Sequence, residues 1–127
     1  MPNENLGVKD RFVAAVLAGD AGTMRDLVDA SFELHQPPGL AYSGSYAGAD
    51  GFLNFIAKFM STYDIETLVS TDTFLSENPD RMVSEFKFAG KVKASGAKFD
   101  TKMLECWEFH RGKILRITVY WFATPRN

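Results

Sequence analysis

The chain has 127 residues, of which 46 % are hydrophobic, and its formal net charge is −2 at pH 7. A chain of this length is predicted to form one domain over residues 1–127, whose core buries roughly two-thirds of the surface that the unfolded chain exposes. Lys and Arg are spread along the chain and form no basic stripe, which excludes nucleic acid as an expected partner.

The single cysteine, Cys106, cannot form an intrachain disulfide, and the polar start of the chain carries no targeting pattern. These two features predict a cytoplasmic protein. No apolar run approaches the roughly 20 residues needed to cross a bilayer, so no membrane association is expected. The chain contains 11 Phe, which indicates aromatic surface that lines a pocket or a subunit interface.

A first helix is predicted from about Gly7 to Ala18, because Val8, Phe12 and Val16 recur at helical spacing. Gly19 then supplies a left-handed stop. The predicted helix is therefore short and amphipathic.

Asp20 is predicted to cap a second helix, whose apolar face carries Met24, Leu27 and Val28. A strand follows from Ser31 to His35. Two prolines end it, and the loop from Pro37 to Gly48 is predicted to be irregular and to shape the mouth of any enclosed pocket.

A third helix is the clearest pattern in the chain. Its apolar stripe has the spacing i, i+3, i+4, i+7 and i+8, and Asp50 in its first turn complements the helix dipole. The stripe consists of Phe52, Phe55, Ile56, Phe59 and Met60.

Beyond this helix, turn signals near residues 77–80, 94–97 and 110–113 predict four strands in an antiparallel meander. Helices first and strands after them predict a single α+β domain. Such a curved sheet, closed on one side by helices, leaves an interior cavity able to hold a small apolar molecule.

Glu105 is the sharpest local anomaly, because strand alternation places it on one face with Met103 and Trp107. If that face lines a cavity, desolvation raises the pKa of Glu105 toward neutrality, which suits a general acid or base. The alternative is a carboxylate on the outer face of the sheet, paired with Lys87 or Lys91.

His35 closes the predicted first strand directly before the Pro-rich loop. From there its imidazole is a candidate acid or base near pH 7. The alternative is a histidine that only hydrogen-bonds to the loop backbone.

Tyr42 and Tyr46 lie in the same loop, and their phenols are candidate donors to a ligand oxygen. The alternative is that both pack over an edge of the core. Trp107 and Trp121 are candidate flat walls of a ligand site, and the alternative for each is a place in the core or an interface.

No phosphate-binding loop, nucleophile elbow or ligand cluster for a metal is found, so no cofactor and no metal are expected. The candidate catalytic residues are thus His35, Tyr42 and Glu105. The candidate ligand contacts are Gln36, Phe55, Phe59, Trp107, Val119 and Trp121.

Three features of the sequence resemble a known family. They are the order of the elements, the stretch from Tyr46 to Phe52, and the turn Gly112-Lys113-Ile114 that leads into the segment 116–122. Over nearly its whole length the chain resembles the nuclear transport factor 2-like superfamily, in its SnoaL-like or ketosteroid-isomerase-like branch. The resemblance implies a cone-shaped half-barrel, in which a curved, mainly antiparallel sheet wraps around N-terminal helices. It also implies a pocket between helices and sheet and a homodimer packed sheet to sheet.

The resemblance places two family acids at positions that hold other residues here. Ketosteroid isomerases carry an Asp base just before a Pro after the first strand, where this chain has Gln36 before Pro37. Many cyclases and epoxide hydrolases carry an acid in the last strand, where this chain has Val119. Neither residue can accept a proton as a carboxylate does.

Two hypotheses follow. In the first, the protein is an isomerase, dehydratase or hydrolase that acts on a hydrophobic substrate, with Glu105 or His35 as general base and Tyr42 or Gln36 as the polarising group. In the second, it is a non-catalytic module that binds a hydrophobic molecule or associates with a partner. A homodimer is expected under both, because Leu104 and Cys106 make one face of a strand apolar while Met103 and Trp107 do the same for the other.

Overall fold

The computed structural model describes residues 3–125. Helices come first in this part of the chain and long strands after them, as predicted. The elements are α1 (Glu4–Ala18), α2 (Ala21–Leu27), β1 (Val28–Gln36), β2 (Gly44–Ala47), α3 (Gly48–Thr62), β3 (Tyr63–Leu75), β4 (Arg81–Val92), β5 (Lys98–His110) and β6 (Lys113–Trp121).

The strands form one six-stranded sheet in the order β2-β1-β6-β5-β4-β3. Strands β3 to β6 form the predicted antiparallel meander, and β1 runs parallel to β6. The sheet is not closed and curves around the helices. The predicted α+β half-barrel is therefore confirmed.

Capping residues determine where α1 begins and ends and where α2 begins. The side chain of Asn3 accepts from the backbone N–H of Asn5, so α1 begins at Glu4, earlier than the predicted Gly7. Gly19 ends α1 with φ of 70°, and the Asp20 side chain accepts from the backbone N–H of Thr23 at 3.1 Å.

Two predictions in this region were wrong. Val28 begins β1 and does not belong to the second helix. The predicted irregular loop contains β2, in which Tyr46 is the partner of Leu34 across an antiparallel pair. This strand has only four residues, and its pairing depends on β1, so local composition does not reveal it.

The curvature of the sheet depends on a close approach of two strands at Gly90. The register between β3 and β4 shifts between Ile65 and Thr67, as expected at a β-bulge. A Cβ atom at Gly90 would lie 2.1 Å from the carbonyl oxygen of Asp64. Only glycine fits there without a shift of the backbone, and a bulge of this kind bends the strand that carries it.

The core lies between the helices and the inner, concave face of the sheet. Phe12 on α1 packs against Phe52 on α3, with ring centroids 5.0 Å apart. Phe59 on α3 stacks on Phe88 of β4 at 5.2 Å. None of the helices within residues 3–125 has the length and hydropathy required to span a membrane.

Candidate functional site

A cavity of about 520 Å³ lies between α1, α3 and the inner face of the sheet. A volume of this size is typical of small-molecule sites. Its walls are almost wholly apolar, and the aromatic rings among them come from four elements: Phe12, Phe52, Phe55, Phe59, Phe86 and Trp107.

The mouth of the cavity lies between the C-terminal half of α1 and the C-terminal half of α3. Leu17 and Met60 line it there and are 60 % and 51 % exposed. No residue of the Pro-rich loop lines this cavity within the described chain. The prediction that the loop shapes the mouth of this cavity was wrong. Residues 44–47 pair with β1, and Tyr42 packs against Phe55 and Tyr63, whereas the exposed side chains that line the cavity lie on α1 and α3.

Glu105 faces this cavity from β5. Its cross-strand partners are Ser84 on β4 and Val119 on β6, both of them buried residues of the inner face. Burial among apolar groups raises the pKa of Glu105 to about 7, while the nearby Trp107 indole N–H and Lys9 ammonium act in the opposite direction. A carboxyl group of this kind gains and loses a proton readily at neutral pH.

The outer-face alternative for Glu105 does not describe the structure. Glu105 lines the cavity, whereas Lys87 and Lys91 face Lys102 and Lys98 across the β4–β5 pair.

Trp107 stands two positions after Glu105 on β5 and faces the same cavity. Only 1 % of Trp107 is exposed, yet its indole Nε1 has no acceptor in hydrogen-bonding geometry among the described residues. Burying an unpaired donor costs free energy. This N–H lies close enough to Glu105 to favour its carboxylate form.

Gln36 supplies a second polar group to the cavity wall. Its side-chain Oε1 accepts from the indole N–H of Trp121 at 3.3 Å. Because an indole nitrogen can only donate, this bond fixes the orientation of the amide and leaves its NH₂ group as the donor. Trp121 does not itself line the cavity and acts through Gln36.

The sequence profile of the SnoaL-like domain family matches residues 10–117. This match covers most of the chain and includes every polar group of the cavity. The chain belongs to the SnoaL-like domain family.

Several solved structures superpose on this chain and share its fold. An NTF2-like protein from Burkholderia xenovorans LB400 superposes with a TM-score of 0.83 at 17 % identity, over 95 % of this chain and 91 % of that chain. A putative isomerase from Bacillus subtilis gives 0.76 at 18 % identity, over 95 % and 89 %.

A hypothetical protein from Catenulispora acidiphila, with a ketosteroid isomerase-like fold and bound trimethylamine, gives 0.71 at 14 % identity, over 89 % of this chain and 83 % of that chain. Identities this low establish the fold alone. No curated protein matches the sequence. The predicted resemblance to the nuclear transport factor 2-like superfamily is confirmed.

In this SnoaL-like domain His35 lies outside the cavity. Its Nε2 is 2.9 Å from Oε1 of Glu33 and its Nδ1 is 2.8 Å from Oγ of Ser45, and Thr118 is its neighbour on β6. Strand alternation turns Gln36 inward and His35 outward. The structure therefore does not bring His35 together with Glu105.

Tyr42 lies in the core and also does not line the cavity. Its hydroxyl is 2.7 Å from the hydroxyl of Tyr63, its backbone oxygen accepts from the Tyr46 hydroxyl, and none of its surface is exposed. Burial raises the pKa of Tyr42 above its ordinary value, and the Tyr63 hydroxyl adds to the effect. The packing alternative describes both loop tyrosines.

The remaining candidate ligand contacts divide into two groups. Phe55 and Phe59 line the cavity from α3. Val119 is buried beside Glu105 but lies outside the cavity lining.

Among the described residues no three His, Cys, Asp or Glu side chains lie together as a metal site requires, and the absence of a cofactor stays a prediction.

Lys9 is a residue of this region that the sequence analysis did not single out. It is 2 % exposed and lies on α1 three and four residues before Phe12 and Val13, both of which line the cavity. A lysine on the apolar face of a helix is the sequence signal that could have identified it.

Proposed function

We propose that this SnoaL-like protein binds a small hydrophobic molecule in the cavity and acts on it by cofactor-independent acid–base catalysis through Glu105. The reaction class is that of an isomerase, dehydratase or hydrolase. The observation that carries the proposal is that Glu105 and Trp107 lie side by side in the wall of an apolar cavity. The buried indole N–H of Trp107 has no acceptor in hydrogen-bonding geometry among the described residues.

The arrangement suits proton abstraction next to a carbonyl group. The Glu105 carboxylate accepts the proton, the C–H bonding electrons move toward the carbonyl carbon, and the carbonyl oxygen gains negative charge. The buried N–H of Trp107 is placed to stabilise that charge. The protonated Glu105 then returns the proton to another atom of the substrate or to a leaving oxygen.

Size and polarity define the substrate class. The cavity of about 520 Å³ accommodates a molecule of two or three fused or linked rings. Glu105 and Gln36 are separated by the buried Val119 on β6, and both line the cavity. A substrate with one oxygen near Trp107 and a second acceptor near the Gln36 amide uses every donor.

The proposal is tested without knowledge of the natural substrate by proton exchange. Bicyclic ketones such as 2-tetralone are incubated with the protein in D₂O, and loss of the α-proton signal is followed by ¹H NMR. We expect exchange that accelerates as pH rises through about 7, where Glu105 becomes the carboxylate, and that falls about 10²- to 10⁴-fold in Glu105→Gln.

Binding is measured in parallel by the change in melting temperature with added ketone. Retained binding with lost exchange in Glu105→Gln supports the catalytic role. Binding by the native protein with no exchange above the buffer rate across the panel contradicts it.

The second candidate is a non-catalytic ligand-binding module of the same fold. The observation that favours it is that Gln36 and Val119 stand where the family resemblance places acids. This function predicts that Glu105→Gln leaves ligand affinity and biological activity unchanged, while Trp107→Ala removes binding.

We also propose a homodimer formed through the outer face of the sheet, defined here by Leu104, Cys106 and Tyr120. Leu104 and Tyr120 are cross-strand partners and are 41 % and 56 % exposed. Exposed apolar side chains on adjacent strands are typical of subunit interfaces.

A cytoplasmic location stays a prediction, for which the lone thiol of Cys106 is the support.

A further inference from the structure

A buried ammonium group lies behind the cavity wall that carries Glu105. The Nζ atom of Lys9 donates to Thr73 Oγ1 at 3.0 Å and to Ser84 Oγ at 3.4 Å. Its charged neighbour is Asp10, whose Oδ1 lies 3.0 Å away and whose side chain is 63 % exposed. Burying an ammonium is costly unless it is paired, and here the paired carboxylate lies at the surface.

The inner side of this ammonium faces hydroxyl groups. Ser84 is completely buried, and its Oγ lies 3.0 Å from Ser70 Oγ and 3.3 Å from Thr73 Oγ1. Hydroxyls orient their dipoles toward a cation but do not neutralise it. The field of the Lys9 ammonium therefore extends through this cluster toward the sheet.

Ser84 connects the ammonium to Glu105. The two residues are cross-strand partners on β4 and β5, and side chains in such a pair have Cβ atoms about 4.5 to 5.5 Å apart on the same face. Lys9 thus contacts the immediate cross-strand neighbour of Glu105.

We propose that Lys9 is a positioning residue for Glu105: its buried ammonium, held against Ser84, stabilises the carboxylate form of Glu105 so that this form is populated at neutral pH. The inference rests on the proposed function for the chemical purpose of that carboxylate. The electrostatic coupling itself exists with or without a substrate.

The surroundings of Glu105 leave few other charges to act on it. Glu105 is the only ionisable residue among those that line the cavity in the described chain. The charged groups nearby are Lys9 and Asp10 on α1, together with Asp72 on β3, whose side chain accepts from the backbone N–H of Thr73.

The direction of the effect follows from these contacts. Burial raises the pKa of Glu105, and Lys9 opposes that rise. A nearby opposite charge lowers a carboxyl pKa, and Lys9 acts on Glu105 in this direction after the larger effect of Trp107. Without the ammonium, Glu105 should hold its proton to higher pH.

The test uses the indole N–H signals of Trp107 and Trp121 in a ¹⁵N–¹H NMR spectrum of the uniformly labelled protein. The chemical shift of the Trp107 signal reports on the protonation of the neighbouring Glu105. The pH dependence that is lost in Glu105→Gln is therefore the titration of Glu105. Trp121 donates to Gln36 and serves as an internal control.

In the native protein we expect the Trp107 signal to titrate with a midpoint of about 7. In Lys9→Met the midpoint should rise by about one pH unit, and Lys9→Arg should restore it because the cation returns. Lys87→Met makes the same change of charge at an exposed position of β4 and should leave the midpoint unchanged.

If Lys9→Met does not fold, Lys9→Gln removes the charge while its amide still donates to Ser84 and Thr73, and the same rise is expected. An unchanged or lowered midpoint in the folded neutral variant overturns the inference. Because no substrate is present, this result is independent of the ketone exchange that tests the proposed function.

Discussion

Glu105 and Trp107 face the same cavity from one strand, and the buried indole N–H of Trp107 has no acceptor among the described residues even though a carboxyl group stands two positions away. Under the proposed function, a ligand that displaces the Trp107 indole slightly from Glu105 gains both a donor and a proton acceptor. A ligand oxygen that reaches them satisfies the donor and lies beside the base.

The raised pKa of Glu105 makes the stability of the protein depend on pH. The carboxyl titrates at about 7 in the folded state, against an ordinary value of 4.5, so the folded state binds more protons between these values. The stabilising contribution is fully present below about pH 4.5 and is lost as pH rises through about 7.

Glu105→Gln should remove this dependence and stabilise the protein above pH 7, by about 3 kcal/mol at most. Urea unfolding of both proteins from pH 4.5 to 8 measures the difference. Glu66→Gln changes an exposed carboxyl on β3 and is the control. A difference between the native protein and Glu105→Gln that stays constant over this range would contradict the prediction.

Replacing Trp107 with Phe removes the unpaired N–H and keeps an aromatic ring in the cavity wall. We expect ketone binding to change little and α-proton exchange to fall about tenfold or more, because the donor stabilises charge that develops during the reaction. Exchange rates and affinities are measured as for Glu105→Gln. An exchange rate equal to that of the native protein would assign the polarising role to another donor, with the Gln36 amide as the next candidate.

Gly90→Ala tests the bend of the sheet. The added Cβ would lie 2.1 Å from the Asp64 carbonyl oxygen, so the bulge must open, and we expect a loss of about 2 to 4 kcal/mol in the free energy of unfolding. Gly7→Ala, whose new Cβ meets nothing within 4 Å, should instead stabilise α1 by up to about 1 kcal/mol. Equal effects of the two substitutions would show that Gly90 is not required by the close approach.

The proposed dimer is tested at Leu104. Leu104→Lys places a charge on the outer face beside Tyr120 and should convert a dimer into a folded monomer, which light scattering at micromolar concentration detects. Leu17→Lys adds the same charge at the cavity mouth, where Leu17 is 60 % exposed, and should leave the dimer intact. A native protein that is already monomeric would contradict the proposal.

Much of this architecture could be predicted from the sequence, because apolar residues recur at helical spacing in the helices and at every second position in the strands. The helical stripe of α3 and the alternation along β5 identified which side chains share a face, including Glu105 with Trp107. Alternation alone does not say which face is concave, since that depends on where the helices pack. The placement of Glu105 therefore had to come from the structure.

The predictions for the loop and for His35 were limited by the same kind of missing information. His35 and Gln36 are adjacent, and only the packing of β1 decides which of them turns inward. Tyr42 stands in a loop with no period, so its place in the core depends on contacts with distant residues such as Tyr63. Lys9 was overlooked because lysines on helices are usually solvated, and its hydroxyl partners lie more than 60 positions away.

The titration of Glu105 itself decides whether this residue is an acid–base group in a ligand cavity. The ¹³C signal of the Glu105 side-chain carboxyl, assigned by its absence in Glu105→Gln, is followed from pH 3 to 9. We predict a midpoint of about 7. A midpoint near the ordinary 4.5 would mean that water reaches the carboxylate as it does at a surface, and it would contradict the proposed acid–base role.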